Sequence, residues 1–204
     1  MVAVGATALI TAVLTSLFWI AAYNMARGGE GAAAAPVGNV ITETVEPDSQ
    51  PELVLGPGGL TVPVAGVRVQ DLLDTYTQSR GGGARVHNAM DIMAPHGRPV
   101  LSAAPGTVEK LFFSRGGGGI SVYVRSADRR WIYYYAHLRD YAPGLAEGQQ
   151  VRAGDRLGTV GSTGNANPAG PHLHFAVHRM EPGDSWHGGT PVNPYPLIAG
   201  PAGR

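Results

Sequence analysis

Four side chains suited to metal binding stand in two short segments of this chain. His172 and His174 are two residues apart, and His87 and Asp91 are four residues apart. Residues two apart in a β-strand point to the same face about 7 Å from each other, so His172 and His174 would enter one cleft together. A hydrolytic zinc takes about three protein ligands and keeps an open position for water. His87, Asp91 and one of the two later histidines supply that count, which predicts a catalytic zinc site.

A further histidine ends an aromatic segment that begins at Trp131 and has the β propensity of a strand. Strict alternation predicts that Trp131, Tyr133, Tyr135 and His137 share one face, so that His137 ends the exposed row of the strand. A histidine at the end of a strand is, taken alone, more typical of a surface or core position. The three histidine-bearing segments together, in this order, indicate an active site.

Five segments carry a pattern that extends from about residue 67 to residue 196. They are Arg85-Val-His-Asn-Ala-Met-Asp-Ile-Met-Ala-Pro95, Pro99-Val-Leu-Ser-Ala-Ala-Pro-Gly-Thr-Val108, Tyr135-Ala-His-Leu138, Val151-Arg-Ala-Gly-Asp-Arg-Leu-Gly158 and Gly170-Pro-His-Leu-His-Phe175. In these segments the chain resembles the M23 family, the lysostaphin-like or LytM-domain zinc endopeptidases that cleave peptide cross-links in bacterial cell walls.

The resemblance implies a fold, a cofactor and a division of roles. The fold would be mainly β, an antiparallel sheet of the M23/LytM type (duplicated hybrid motif) with a cleft across one face. His87, Asp91 and His174 would bind one zinc ion, and His137 and His172 would act on the water and the substrate. The implied function is a zinc-dependent endopeptidase that hydrolyses peptide bonds in peptidoglycan.

The proton chemistry would fall to imidazole, because the chain lacks the His-Glu-x-x-His motif whose glutamate serves as base. His172 is the predicted base, and His137 would orient water or stabilise the oxyanion. The chain departs from the family at Ala89, where glycine is usual two residues after the first histidine. If Ala89 had to adopt a left-handed conformation, strain of roughly 1–2 kcal/mol would be expected.

Two other functions are compatible with parts of the pattern. A non-catalytic LytM-type domain that regulates or activates another cell-wall hydrolase is the main alternative, although all five polar positions are intact here. A sugar-phosphotransfer-like module is the second, since the family's fold resembles that of a histidine-phosphorylated carrier. Asp91 and the apolar N-terminus argue against the carrier, which needs no metal ligand and would be cytoplasmic.

Composition agrees with a single β-rich domain plus appendages. The chain has 204 residues with 30 glycines and 16 prolines, which favours short strands joined by many turns. Alternation predicts strands at residues 120–125 and 172–177, whereas residues 67–76 have the pattern of a short helix. The 15 basic and 15 acidic residues balance, which gives no basic field for nucleic acid. With no cysteine, Cys-based zinc sites are excluded.

The N-terminal segment from Val2 to Tyr23 is uncharged and long enough to span a hydrocarbon core of about 30 Å. No basic residue precedes it, which favours an uncleaved anchor over a signal peptide. Arg27 alone would place the following chain inside, whereas the resemblance requires the peptidase domain outside the cytoplasmic membrane. The predicted division is an anchor or signal at residues 1–26, a flexible linker at 27–64, the peptidase domain at 65–197 and a tail at 198–204.

Two glycine-rich runs, at residues 80–84 and 115–120, lack the Gly-Lys-Ser/Thr ending of a nucleotide-binding P-loop. They are interpreted either as walls of the cleft or as plain hairpin connections. His96, His178 and His187 fit no metal set and are predicted to be rim or surface residues. The predicted partners are therefore peptidoglycan peptides and, through the N-terminal segment, a membrane; the oligomeric state does not follow from the sequence.

Overall fold

The computed structural model of the protein describes residues 59–200. The described chain is built almost wholly from strands: β1 Ser79–Arg80, β2 Arg85–Val86, β3 Met90–Met93, β4 Pro99–Leu101, β5 Gly106–Ser114, β6 Gly119–Arg125, β7 Trp131–Tyr141, β8 Gln150–Val151, β9 Arg156–Val160, β10 His172–Arg179 and β11 Thr190–Val192. One α-helix, α1 (Pro194–Ala199), follows the last strand, and two 3-10 turns lie at Val69–Asp71 and Gly81–Gly83. This is the mainly antiparallel β architecture that the sequence predicts.

Every strand pair in the described residues is antiparallel. The central path of the nine-stranded sheet runs β11-β10-β7-β6-β5-β8, with β3 pairing with β10 and β9 pairing with both β4 and β7. A separate two-stranded ribbon is formed by β1 and β2. Asp91 lies on β3, His137 on β7, and His172 and His174 on β10. The topology thus places the three strands that carry these predicted site residues next to one another.

The core lies against one face of this sheet. Its largest fully buried members include Tyr135, Phe175, Leu138, Leu157 and Leu173. Burial of each such side chain contributes roughly 1.5–3 kcal/mol relative to leaving it in water. The core therefore fixes the sheet from behind and leaves the opposite face free to form a cleft.

Strand β7 does not follow the strict alternation that the sequence suggested. Tyr135 and Leu138 both face the core and are fully buried, and their partners on β6 are Val122 and Ile120, with a register shift between them. Two residues of β7 thus stand where one is expected, which is a β-bulge. The prediction that Tyr135 and His137 share a face is wrong, because the bulge turns His137 to the opposite side.

The N-terminal approach to the sheet is extended. Residues 69–71 form only a 3-10 turn, so the short helix predicted at residues 67–76 is not present. Val62 and Val64 are buried, and Thr61 donates its backbone N–H to the Ala103 carbonyl. Folded structure therefore already includes residues 60–64, ahead of the predicted domain start at residue 65.

Residues 59–200 contain no helix with the length and apolar character needed to cross a membrane. The anchor or signal predicted at residues 1–26 lies outside the described residues.

Candidate metal centre

The pairing of β3 with β10 brings two of the predicted ligands together. His174 lies directly opposite Asp91 in this antiparallel pair, and Phe175 lies opposite Met90. Side chains directly opposite one another project to the same face of a sheet. Asp91 and His174 consequently point into the cleft, while Met90 and Phe175 fill the core behind them.

Three donor atoms converge at this point. The distances are 3.0 Å from His87 Nε2 to Asp91 Oδ1, 3.1 Å from His87 Nε2 to His174 Nδ1, and 3.2 Å from His174 Nδ1 to Asp91 Oδ1. Tetrahedral ligands held about 2.0–2.1 Å from a zinc ion are spaced about 3.3 Å apart. The triangle therefore fits one zinc ion with small adjustments.

The protonation pattern of the histidines also suits metal binding. His87 donates Nδ1–H to the Thr75 carbonyl over 3.0 Å. A histidine whose Nδ1 carries the proton keeps a free lone pair on Nε2, which is the atom that a metal binds. The backbone of the preceding segment thus orients His87 as a ligand.

His137 and His172 lie beside the triangle with their rings 5.0 Å apart, centroid to centroid. His137 donates Nδ1–H to the Thr163 carbonyl over 2.8 Å, and His172 donates Nδ1–H to the Gly170 carbonyl over 2.8 Å. Both rings consequently present a basic Nε2 to the cleft. The Nε2 atom of His172 lies 3.8 Å from Asp91 Oδ1, beside the three donor atoms.

The bulge in β7 places His137. This residue has a left-handed backbone conformation, with φ +60°, and its N–H donates to the Gly118 carbonyl over 2.7 Å. A non-glycine residue with positive φ is uncommon and is often found at functional sites. His137 thereby enters the cleft even though Tyr135, two residues earlier, is in the core.

Burial shapes the charge state of the site. Burial lowers the pKa of His137 to about 4, even though the hydrogen bond to the Thr163 carbonyl opposes this shift. Burial also lowers the pKa of His174. Burial alone would raise the pKa of Asp91, but the close contacts of its carboxylate with His174 and His87 outweigh burial and hold that pKa well below its usual range. The site therefore combines a carboxylate with buried imidazoles at His137 and His174 whose charged forms are disfavoured, which suits the donor chemistry that zinc prefers.

Arg80 is a site residue that the sequence did not reveal. Its guanidinium donates to Asp91 Oδ2 over 2.6 Å, which leaves Oδ1 for the two histidines. The residue comes from the β1–β2 ribbon, whose turn is made by three consecutive glycines, 81–83, all with positive φ. In the sequence, Arg80 stands out only as the residue that begins a glycine-rich run. That pattern fits a plain hairpin connection as well as a wall of the cleft.

The second glycine-rich run contributes a wall of the cleft. Gly117 and Gly118 line the cleft, which has a volume of about 480 Å³. The backbones of Gly119 and Gly164 are in close contact, so that a Cβ on either residue would overlap atoms of the other loop. The run is both a hairpin connection between β5 and β6 and a cleft wall, so the two interpretations of the sequence are compatible.

Thr163 joins these loops to His137. Its hydroxyl accepts a hydrogen bond from the Ile120 N–H over 2.9 Å and donates one to the Leu138 carbonyl over 2.6 Å, while its carbonyl holds His137. Thr163 is thus a second residue near the site that the sequence did not reveal.

The remaining expectations concern residues outside the metal triangle. His96, His178 and His187 do not line the cleft, and His178 donates Nδ1–H to the Gly188 carbonyl over 2.9 Å. Ala89 is buried and has no positive φ; the left-handed residue of this loop is Asn88, with φ +58°. Asparagine tolerates that conformation, so the loop carries no strain at Ala89.

A triangle of histidine and aspartate donors beside two further histidines, on an antiparallel sheet, is typical of a zinc-peptidase domain. Residues 85–194 match the model of Peptidase family M23, and the chain belongs to this family.

Sequence and structure comparisons give the same result. The chain is 37% identical over 130 residues to the L-Ala–D-Glu endopeptidase of Bacillus subtilis, covering 61% of this chain and 38% of that protein. It is 35% identical over 141 residues to the cell division protein DipM of Caulobacter vibrioides, covering 69% of this chain and 21% of that protein. The chain thus spans less than half the length of these curated relatives.

Among solved structures, the catalytic domain of the antimicrobial peptidase lysostaphin from Staphylococcus simulans superimposes with a TM-score of 0.53 at 27% identity. The match covers 63% of this chain and 93% of that domain. The fold is therefore that of the M23 peptidases.

Proposed function

We propose that this protein is a zinc-dependent endopeptidase that hydrolyses peptide bonds in bacterial peptidoglycan. The observation that carries the proposal is the convergence of three metal-donor atoms beside two histidines that offer a free Nε2 to the same cleft. A domain that only bound the cell wall would have no need of this arrangement. Family membership supports the same activity.

His87, Asp91 and His174 are the proposed zinc ligands. When bound there, zinc polarises the scissile carbonyl and lowers the pKa of water toward about 7. The pairing of β3 with β10 fixes the spacing of Asp91 and His174, and the hydrogen bond from His87 to the Thr75 carbonyl orients the third donor.

His172 is the proposed general base. Its Nε2 is held beside the three donor atoms by the hydrogen bond from Nδ1–H to the Gly170 carbonyl, so it can accept a proton from water and pass it to the leaving amine. His137 also has a bare Nε2 and stays neutral at physiological pH, because burial lowers its pKa. We therefore assign His137 to orienting the attacking water as a hydrogen-bond acceptor, in preference to donating to an oxyanion.

The proposed substrate is a peptidoglycan peptide, and the proposed location is the cell envelope. The domain would act outside the cytoplasmic membrane, attached through residues 1–26 or released after cleavage of that segment. The activities for which the relatives are named differ, since one is an L-Ala–D-Glu endopeptidase and another, ShyC of Vibrio cholerae, is a peptidoglycan DD-endopeptidase. These activities support cleavage of a peptide bond in the cell wall, and they do not specify which bond is cut.

The decisive experiment incubates a zinc-loaded fragment beginning near residue 27 with purified peptidoglycan sacculi. Mass spectrometry of the soluble products identifies the bond that is cut. The His174→Ala variant should release at least a hundredfold less product, because it loses a zinc ligand. The matched control is His178→Ala, on the same strand but outside the cleft, which should retain cleavage.

A regulatory domain is the second candidate, favoured by the similarity to a relative named as a cell division protein. In that case the protein would activate another cell-wall hydrolase without cutting peptides itself. The same experiment separates the two functions. One bound zinc per chain with no peptide released from sacculi, but faster release when a partner hydrolase is added, would support the regulator.

A further inference from the structure

The β1–β2 ribbon carries two arginines at the edge of the cleft. Arg80 and Arg85 lie directly opposite each other in the antiparallel pair, and both line the cleft. Directly opposed side chains share a face of the ribbon, and like charges in that position are destabilising. The arrangement is therefore costly unless anions compensate for both charges.

Only one of the two charges is compensated. Arg80 donates to Asp91 over 2.6 Å, and Asp91 is the one carboxylate among the described residues that line the cleft. Within residues 59–200, no salt bridge joins a carboxylate to Arg85, whose side chain is exposed. Asn165 and Asn167, also in the cleft lining, are uncharged. The cleft thus has a net positive charge even before a metal cation is added.

We propose that Arg85 forms a carboxylate-binding subsite, so that the cleft selects peptides with a free carboxylate close to the scissile bond. This inference rests on the proposed peptidase function and names its substrate class. A guanidinium binds a carboxylate through two parallel N–H···O bonds, which fix orientation as well as adding affinity. Arg80 cannot bind a substrate carboxylate in this way, because its guanidinium already donates to Asp91.

A carboxylate-binding subsite at Arg85 would distinguish two kinds of peptide substrate. A stem-type peptide with an acidic residue presents the carboxylate that Arg85 requires. A bridge made only of glycine presents none and would leave Arg85 without a partner. We therefore expect acidic stem peptides to be preferred over neutral bridges.

The test uses two synthetic tetrapeptides that differ only in charge: L-Ala–D-Glu–L-Lys–D-Ala amide and the same peptide with D-Gln. Binding to the zinc-loaded full-length chain in detergent is measured by calorimetry, with the His172→Ala variant used so that the peptides stay intact. Loss of a hydrogen bond to a charged group typically weakens binding by about tenfold to a hundredfold. The D-Glu peptide should therefore bind at least about tenfold more tightly, and the difference should shrink at high salt because the ion pair is screened.

Variants of Arg85 test whether this residue causes the preference for the D-Glu peptide. All variants are made in the His172→Ala background. Arg85→Gln should bring the affinity ratio of the two peptides close to one. Arg85→Lys should retain part of the preference, since lysine keeps the positive charge but cannot form the two parallel hydrogen bonds of a guanidinium. Arg156→Gln changes an exposed arginine on β9 that does not line the cleft, and it should leave the ratio unchanged. Zinc content and circular dichroism of each variant confirm that the fold is kept.

Equal binding of the two peptides, binding of neither, or a preference that survives Arg85→Gln would overturn the proposal. Cleavage by the unaltered chain is scored separately. A binding preference without cleavage would leave the subsite in place and contradict the peptidase function. Equal cleavage and equal binding of both peptides would support the peptidase function and remove the subsite.

Discussion

At the scale of single residues, Asp91 organises the metal centre because it meets a different group at each polar atom. Oδ1 faces His87 and His174, Oδ2 accepts from Arg80, and the backbone N–H donates to the Thr75 hydroxyl over 2.9 Å. Hydrogen bonds to a metal-binding carboxylate fix its orientation and are often as important as the ligand itself. The geometry of the centre thus depends on residues that do not bind the metal.

Arg80→Gln should weaken zinc binding by about tenfold to a hundredfold, because Asp91 loses the guanidinium that orients it. Competition with a chromogenic zinc chelator measures the change in affinity. Arg156→Gln, an exposed arginine of β9, is the matched control and should bind zinc as the parent does. Unchanged zinc affinity in Arg80→Gln would show that the sheet alone positions Asp91.

His137 should make the stability of the zinc-free protein depend on pH. Its pKa in the folded state is about 4, below the ordinary value of 6.5. The unfolded chain therefore takes up the proton first, and the stabilisation is complete above about pH 6.5 and lost as the pH falls toward 4. The loss should be on the order of 1–3 kcal/mol, visible as a lower urea midpoint at pH 4.5 than at pH 7. His174, whose pKa is also lowered by burial, adds to the same trend.

The His137→Gln variant should show a smaller difference between those two midpoints. His178→Gln serves as the comparison, since His178 lies outside the cleft. An identical pH dependence in His137→Gln and the parent would mean that His137 is not held neutral by its surroundings.

At the scale of elements, the cleft depends on irregularities in otherwise regular strands. The bulge in β7 turns His137 out of the core row, and the loops around Gly119 and Gly164 hold Thr163 beneath it. Bulges and close backbone contacts are common beside active sites because they aim one side chain without disturbing the sheet. The position of His137 is thus set by two loops as well as by its own strand.

Gly164→Ala and Gly144→Ala form a matched pair that tests the loop contact. The two glycines have nearly the same backbone conformation, with φ +77° and +75°. A Cβ at Gly144 meets nothing within 4 Å, whereas one at Gly164 overlaps the backbone of Gly117 and Gly119. Gly144→Ala should cost only the left-handed penalty of about 1–2 kcal/mol.

Gly164→Ala should lower the free energy of unfolding further than Gly144→Ala and should reduce peptide cleavage at least tenfold, because the displaced loop moves Thr163 and His137. Urea unfolding and the sacculus assay measure the two effects. Equal stability and activity in both variants would contradict the close packing of these loops.

At the scale of the whole molecule, the metal centre joins parts of the chain that are far apart in sequence. His174 follows Asp91 by 83 residues, yet the two side chains are 3.2 Å apart. The core behind the sheet brings them together, with Tyr135 and Phe175 packed at a centroid distance of 5.2 Å. A ligand that binds only the folded state stabilises that state by an amount that grows with the logarithm of the ligand concentration divided by Kd.

Zinc should therefore raise the melting temperature of the protein. At a zinc concentration about a thousandfold above Kd the gain is about 4 kcal/mol, which corresponds to a rise of several degrees or more in a domain of this size. Scanning calorimetry with and without a chelator measures the shift. His174→Ala should fold but show almost no shift, and a full shift in that variant would place the zinc elsewhere.

The sequence by itself determined the donor types, the order of the motifs and the strands that carry His137, His172 and His174. Residue type and short spacing are local properties, so His172 and His174 could be placed on one face of a strand before any fold was known. The proposed ligand role of His174 rests on the resemblance to a family, since spacing alone left either histidine possible.

Only the tertiary structure decided which donor atoms meet and what surrounds them. The alternation of β7 wrongly placed Tyr135 and His137 on the same face, because a bulge arises from pairing with β6 and not from the strand's own sequence. Arg80 and Arg85 reach the cleft through a ribbon, and Thr163 reaches His137 through a loop, and the placement of both depends on contacts with distant segments. Such contacts follow from register and packing across the whole sheet, which no local pattern encodes.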